Sequence, residues 1–175
     1  MRQPPRGRNR RLIDVALLAR AYGFLGLLEA AVAMAAYFLV LRDGEWSFGE
    51  ALGKADPLYL QATTACLAAI VVSQVANVYL CRSHRESAFT VPFASNPLLG
   101  VGVLVELALI LLIVYTPPGH LLFGTAPIAP WVWGAALVGA LIMFGVEEAR
   151  KGAVRAWEFR HPAAALHGAS GEHAS

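Results

Sequence analysis

Four long apolar stretches divide the chain. Ala21 to Leu41 reads AYGFLGLLEAAVAMAAYFLVL. Tyr59 to Leu80 follows and carries no formal charge, although it holds Gln74 and Asn77 near its middle. Leu98 to Tyr115 reads LLGVGVLVELALILLIVY, and Trp131 to Val146 reads WVWGAALVGALIMFGV. A helix needs about 20 apolar residues to cross a bilayer. The first three stretches meet that length. The fourth is short and is expected to continue past the membrane as an amphipathic end. No internal repeat is visible, so an inverted-repeat transporter is not indicated. The first stretch exceeds the usual h-region of about 7–15 residues and holds Glu29, which argues against a signal peptide.

Composition agrees with the pattern. Of 175 residues, 57% are hydrophobic and 15% charged, against roughly 45–50% and 25% in soluble domains. The formal net charge of +2 is too small to indicate nucleic acid as a partner. The lipid bilayer is the partner that composition implies. The two cysteines, Cys66 and Cys81, lie about 22 Å apart on one helix at ~1.5 Å per residue. That separation rules out a disulfide between them, and both read as free thiols. His161, His167 and His173 lie in a Pro/Ala/Gly/Ser tail, residues 161–175, expected to be disordered. His84 and His120 have no evident co-ligand.

Basic residues set the orientation. Arg2, Arg6, Arg8, Arg10, Arg11 and Arg20 precede the first span. Arg82 and Arg85 lie between the second and third, and Arg150, Lys151, Arg155 and Arg160 follow the fourth. The segment RDGEWSFGEALGKADP sets Arg42 and Lys54 against Asp43, Glu45, Glu50 and Asp56, and TPPGHLLFGTAPIAP has no Lys or Arg. The count predicts an all-α membrane protein, a four-transmembrane-helix bundle with both termini cytoplasmic, in the plasma or inner membrane. Tyr37, Tyr115, Trp131 and Trp133 fall where an interfacial aromatic belt is expected.

Polar groups within the spans are the candidate chemistry. An ionisable residue there is a functional hypothesis by default, because its insertion must be offset by a partner. Glu29 lies in span one, Ser73, Gln74 and Asn77 in span two, and Glu106 in span three. Gln74 and Asn77 are three residues apart and share a helix face. Their carbonyl oxygens are hard, neutral ligands that Na⁺, K⁺ or Ca²⁺ accept. Glu106 and Glu29 could complete such a site or hold a proton. The other reading makes these groups interhelical glue, contributing about 0.6–2 kcal/mol per bond. No phosphate-cradling loop and no nucleophile elbow occurs.

Taken in order, RLIDVALLARAYGFLGLLEA, QATTACLAAIVVSQVANVYLCRSHRESAF, SNPLLGVGVLVELALILLIVYTPP, LLFGTAPIAPWVW and GVEEARKGAVR resemble the C-terminal transmembrane domain of cation-transporting P-type ATPases. The resembling branch includes the calcium and sodium/potassium pumps. The resemblance covers residues 1–160 and implies the family's seventh to tenth membrane helices, with PPR at Pro4 to Arg6 matching the preceding cytoplasmic loop. The family's phosphorylated D-K-T-G-T motif is not in the sequence. The implied role is a support domain, separately encoded or truncated, that braces the transport helices. By itself such a chain is no enzyme and holds no cofactor. ATP and Mg²⁺ belong to the complete pump, whose N-terminal part is the implied partner. In the family the eighth helix lends one glutamate or glutamine to the cation site, and the register VVSQVAN carries that role to Gln74, with Asn77 one turn on. Glu106 matches an acidic position on the ninth helix of some sodium pumps, and Glu147 to Lys151 the end of the tenth. No family role falls on Glu29. The alternative function is a small self-associating membrane protein, either a pore or an accessory subunit, or a degenerate pump fragment.

Overall fold

The computed structural model describes residues 23–80 and 97–160. The arginine-rich start of the chain, the segment holding Cys81 and His84, and the tail with its three histidines lie outside the described residues. Within them every regular element is helical: α1 Gly26–Asp43, α2 Pro57–Leu80, α3 Pro97–Tyr115, α4 Pro117–Phe123 and α5 Pro130–Arg160. Four helices, all but the short α4, are long and apolar enough to cross a membrane.

Small side chains set how closely these helices approach. On α2 the fully buried positions include Ala62, Ala65, Ala69 and Ser73, a stripe that repeats with the helical period. Opposite it α1 offers Ala33, Ala36 and Val40. With bilayer lipid as apolar as leucine, association rests on close backbone packing, and small residues permit it. Gly139 of α5 shows the limit, because a methyl group there would strike Val32 of α1. The result is a three-helix core of α1, α2 and α5, with α2 in the middle.

α3 stands apart. It is the most apolar of the four long helices and the least buried. Only Ile110 and Val114 are buried, while Leu98, Val101, Leu104, Val105, Leu109, Leu111 and Leu112 are exposed. Such a surface suits lipid or further helices.

α5 runs on well beyond its apolar stretch, as expected for the fourth span, and its continuation keeps an inward face. Its inward stripe is Val132, Ala136, Ala140, Met143, Glu147 and Lys151. The apolar stretch ends at Val146, but the buried stripe runs on through two charged residues. The helix therefore packs as one element for most of its 31 residues.

At the opposite end of the bundle, α4 is a feature that hydropathy did not reveal. Thr116 caps it by accepting from Gly119 N, prolines occupy its first positions, and Gly124 closes it in the left-handed conformation at φ 61°. Those are ordinary start and stop signals. Hydrogen bonds tie this connection down. Thr64 Oγ1 accepts from Ala126 N at 3.0 Å, Thr125 Oγ1 donates to Ile113 O at 2.7 Å, and Tyr115 OH donates to Ile128 O at 3.1 Å. Trp133 Nε1 donates to Tyr115 OH at 2.8 Å. His120 Nε2 lies 2.8 Å from Val114 O, so that ring nitrogen is committed to a backbone carbonyl.

Candidate functional site

α1 and α2 run antiparallel. Gly44, just past α1, lies against Leu58 near the start of α2, while Glu29 in the first turn of α1 meets the last third of α2. Gln74 sits six residues before Leu80, about 9 Å along the axis. The amide pair is thus nearer one end of its helix than the sequence reading placed it.

Glu29 joins the two amides. Gln74 Nε2 donates to Glu29 Oε1 at 2.8 Å, and Asn77 Nδ2 donates to Glu29 Oε2 at 3.0 Å. Each carboxylate oxygen receives one N–H. Hydrogen bonds to a charged partner are worth about 1.5–3 kcal/mol each, more than a neutral pair. The shared helix face of Gln74 and Asn77 makes the two-pronged contact geometrically available.

Burial is graded across the cluster. Gln74 is exposed, Glu29 and Asn77 are half-buried, and Ser73 is fully buried. Two buried oxygens, Ser73 Oγ and Asn77 Oδ1, have no hydrogen-bond partner among the described residues. Burying such groups without partners costs about 1–3 kcal/mol apiece.

Glu106 does not join this cluster. It lies at the middle of α3, in an apolar groove between α2 and α3 lined by Leu67, Val71, Val105, Leu109 and Ile110. The groove encloses about 270 Å³. Among the described residues Glu106 has no hydrogen bond or ion pair. No group of three or more His, Cys, Asp or Glu able to hold a metal occurs among the described residues. Cys66 is a half-buried free thiol.

A second polar cluster lies where α5 passes the end of α2. Glu147 accepts two hydrogen bonds from Arg150, at 2.7 and 2.8 Å. Lys151 Nζ donates to Leu80 O at 3.1 Å and to Glu148 Oε1 at 3.2 Å. Buried charges persist only when paired, and here the pairs lie along one helix edge. The acidic-basic run Glu147 to Lys151 is plain in the sequence, but its burial is not. The signal was present, since Glu147 and Lys151 continue the Ala136, Ala140, Met143 stripe at helical spacing.

The fold therefore defines a multi-pass α-helical membrane protein, with a carboxylate–amide cluster on its core helices. The family described as "Cation transporting ATPase, C-terminus" matches residues 1–153, and the chain belongs to it. The chain is 26% identical over 174 residues to the sodium/potassium-transporting ATPase subunit alpha of Tetronarce californica. It is 28% identical over 174 residues to subunit alpha-2 of Gallus gallus. Each match covers 86% of this chain and 17% of the relative. The chain spans about one-sixth of the length of the pump subunits it matches.

Proposed function

We propose that this domain braces the transport helices of a cation pump and lends the Gln74–Asn77 face of α2 to the cation site. The observation that carries the reading is the polar cluster itself. Glu29, Gln74 and Asn77 are joined across two core helices, with Gln74 exposed in the last third of an uncharged helix. Glu29 satisfies the Gln74 nitrogen, whereas the carbonyl oxygen makes no hydrogen bond among the described residues, and leaving it against hydrocarbon is costly. Covering by protein or an aqueous pathway removes that cost, and the remaining part of a pump would supply either. Family membership favours that occupant. In this reading the domain works only with the phosphorylation and nucleotide-binding parts of a P-type ATPase. It lies in the plasma or inner membrane, with both termini cytoplasmic. The transported cation is substrate, and Gln74 and Asn77 are its ligands in this domain.

The test is cation-dependent ATPase activity of the assembled pump, compared at equal abundance for wild type, Gln74→Ala and Asn77→Ala. Loss of one neutral ligand should raise the half-saturating cation concentration about five- to thirty-fold. Unchanged midpoints in both variants, with reduced assembly, would make the amides packing groups only.

A further inference from the structure

Each amide offers one nitrogen and one oxygen, and the Glu29 carboxylate takes both nitrogens. An ionised carboxylate only accepts hydrogen bonds. Gln74 and Asn77 must therefore turn their NH₂ groups toward α1. Because an amide is planar, with oxygen and nitrogen on opposite branches, both carbonyl oxygens are turned away from Glu29. Asn77 Oδ1 is the buried one, and it has no hydrogen-bond partner among the described residues. Reversing either amide would present two N–H donors in place of a carbonyl oxygen and would repel a cation. Glu29 thus decides which end of each dipole faces away from α1.

Charge points to the kind of substrate. Each Glu29 oxygen accepts one amide N–H, so an ionised carboxylate here contributes one nearby negative charge while part of its acceptor capacity is spent on the amides. Glu106 lies elsewhere, in the groove against α3. One charge beside neutral carbonyl oxygens suits a monovalent alkali cation better than a divalent one, whose sites recruit several carboxylates.

We propose that Glu29 is the positioning residue of the cation site: by accepting one N–H from each amide it presents the Gln74 and Asn77 carbonyl oxygens to a monovalent cation. The inference rests on the cation-site reading of Gln74 and Asn77 and assigns the role that their residue types leave open. Neither amide has an intrinsic preference for showing its oxygen.

Two measurements test it. Solid-state NMR on the full chain in bilayers, labelled at the side-chain amide nitrogens and the Glu29 carboxyl carbon, should show both dipolar contacts. Their absence would overturn the proposal. In the assembled pump, Glu29→Gln keeps the size of the side chain but has one oxygen and can itself donate, so one amide loses its anchor. The Na⁺ or K⁺ midpoint should then weaken roughly five- to thirty-fold, while maximal turnover per pump is retained. Combining Glu29→Gln with Asn77→Ala and Gln74→Ala should add little beyond the amide variants, because groups acting through one another are not additive. A wild-type midpoint in Glu29→Gln, or full additivity, overturns the positioning role. If Gln74→Ala and Asn77→Ala shift the midpoint and Glu29→Gln does not, only this inference fails. If all of them leave it unchanged, the cation-site reading fails first.

Discussion

The ammonium group of Lys151 donates to the backbone carbonyl of Leu80 at 3.1 Å, joining α5 to the last residue of α2 across 71 positions of sequence. Lys151 is 1% exposed. A buried lysine persists there because it meets a carbonyl at a helix end and a carboxylate, Glu148, on its own helix. Lys151→Met keeps the length of the side chain and removes the donor. Its expected cost is about 1.5–3 kcal/mol, the value of a hydrogen bond with a charged partner. Equilibrium unfolding of the full chain in lipid nanodiscs would measure it. Stability equal to wild type would show that the α2–α5 contact holds without the lysine.

Gly139 and Val32 define the α1–α5 approach. A side chain at Gly139 would meet Val32, and overpacking of this kind typically costs about 1–3 kcal/mol. Gly139→Leu should separate the two helices and lower the unfolding free energy by that amount. Val32→Ala clears space on the facing helix. The double variant Val32→Ala/Gly139→Leu should therefore recover part of the loss, a coupling that two independent sites would not show. Strict additivity in the same unfolding assay would remove this contact from the packing account.

Hydropathy made the four long helices legible, because a spanning helix must be apolar along a length set by the bilayer. It was a poorer guide to the ends. α5 extends through Arg160, since inward-facing Glu147 and Lys151 end an apolar run without ending the buried stripe. α4 escaped because seven residues carry too little periodicity, although Thr116, two prolines and Gly124 mark its limits. Gln74 and Asn77 stood out as amides in an uncharged span. Their partner did not, because Glu29 lies 45 residues away from Gln74 and only the antiparallel pairing of α1 and α2 brings it there. Glu106 shows the converse. Its residue type invited a hydrogen bond, yet α3 turns it into a groove of aliphatic side chains.

Orientation in the membrane is testable at the α1–α2 connection. Glu50 N bonds to Ser47 O and Trp46 Nε1 to Glu50 O, forming a compact turn with Ser47 exposed. From the arginine distribution this turn is expected on the non-cytoplasmic side of the membrane. A single cysteine introduced by Ser47→Cys in a Cys66→Ala/Cys81→Ala background should react with a membrane-impermeant maleimide in intact cells. Labelling only after the membrane is opened would reverse the topology.

Glu106 carries the last prediction. It lies nine residues from each end of α3, about 14 Å along the helix from either one. On translocon scales an aspartate at a helix centre costs roughly 2.5–3.5 kcal/mol, and a glutamate belongs to the same range. Among the described residues nothing polar offsets that cost. Glu106→Leu should therefore improve insertion of α3, and a glycosylation-mapping assay would read a change of about 3–4 kcal/mol in apparent insertion free energy. Within a complete pump the effect should reverse. A donor or cation from the remaining helices, meeting the carboxylate in the α2–α3 groove, would be left unpartnered by leucine, at a cost of about 1–3 kcal/mol. Glu106→Gln separates charge from hydrogen bonding, since it keeps an acceptor and loses the charge. Pump assembly measured by co-purification should fall with Glu106→Leu and survive with Glu106→Gln if a hydrogen bond is what Glu106 supplies. Full assembly and activity with leucine would show that the groove meets only lipid.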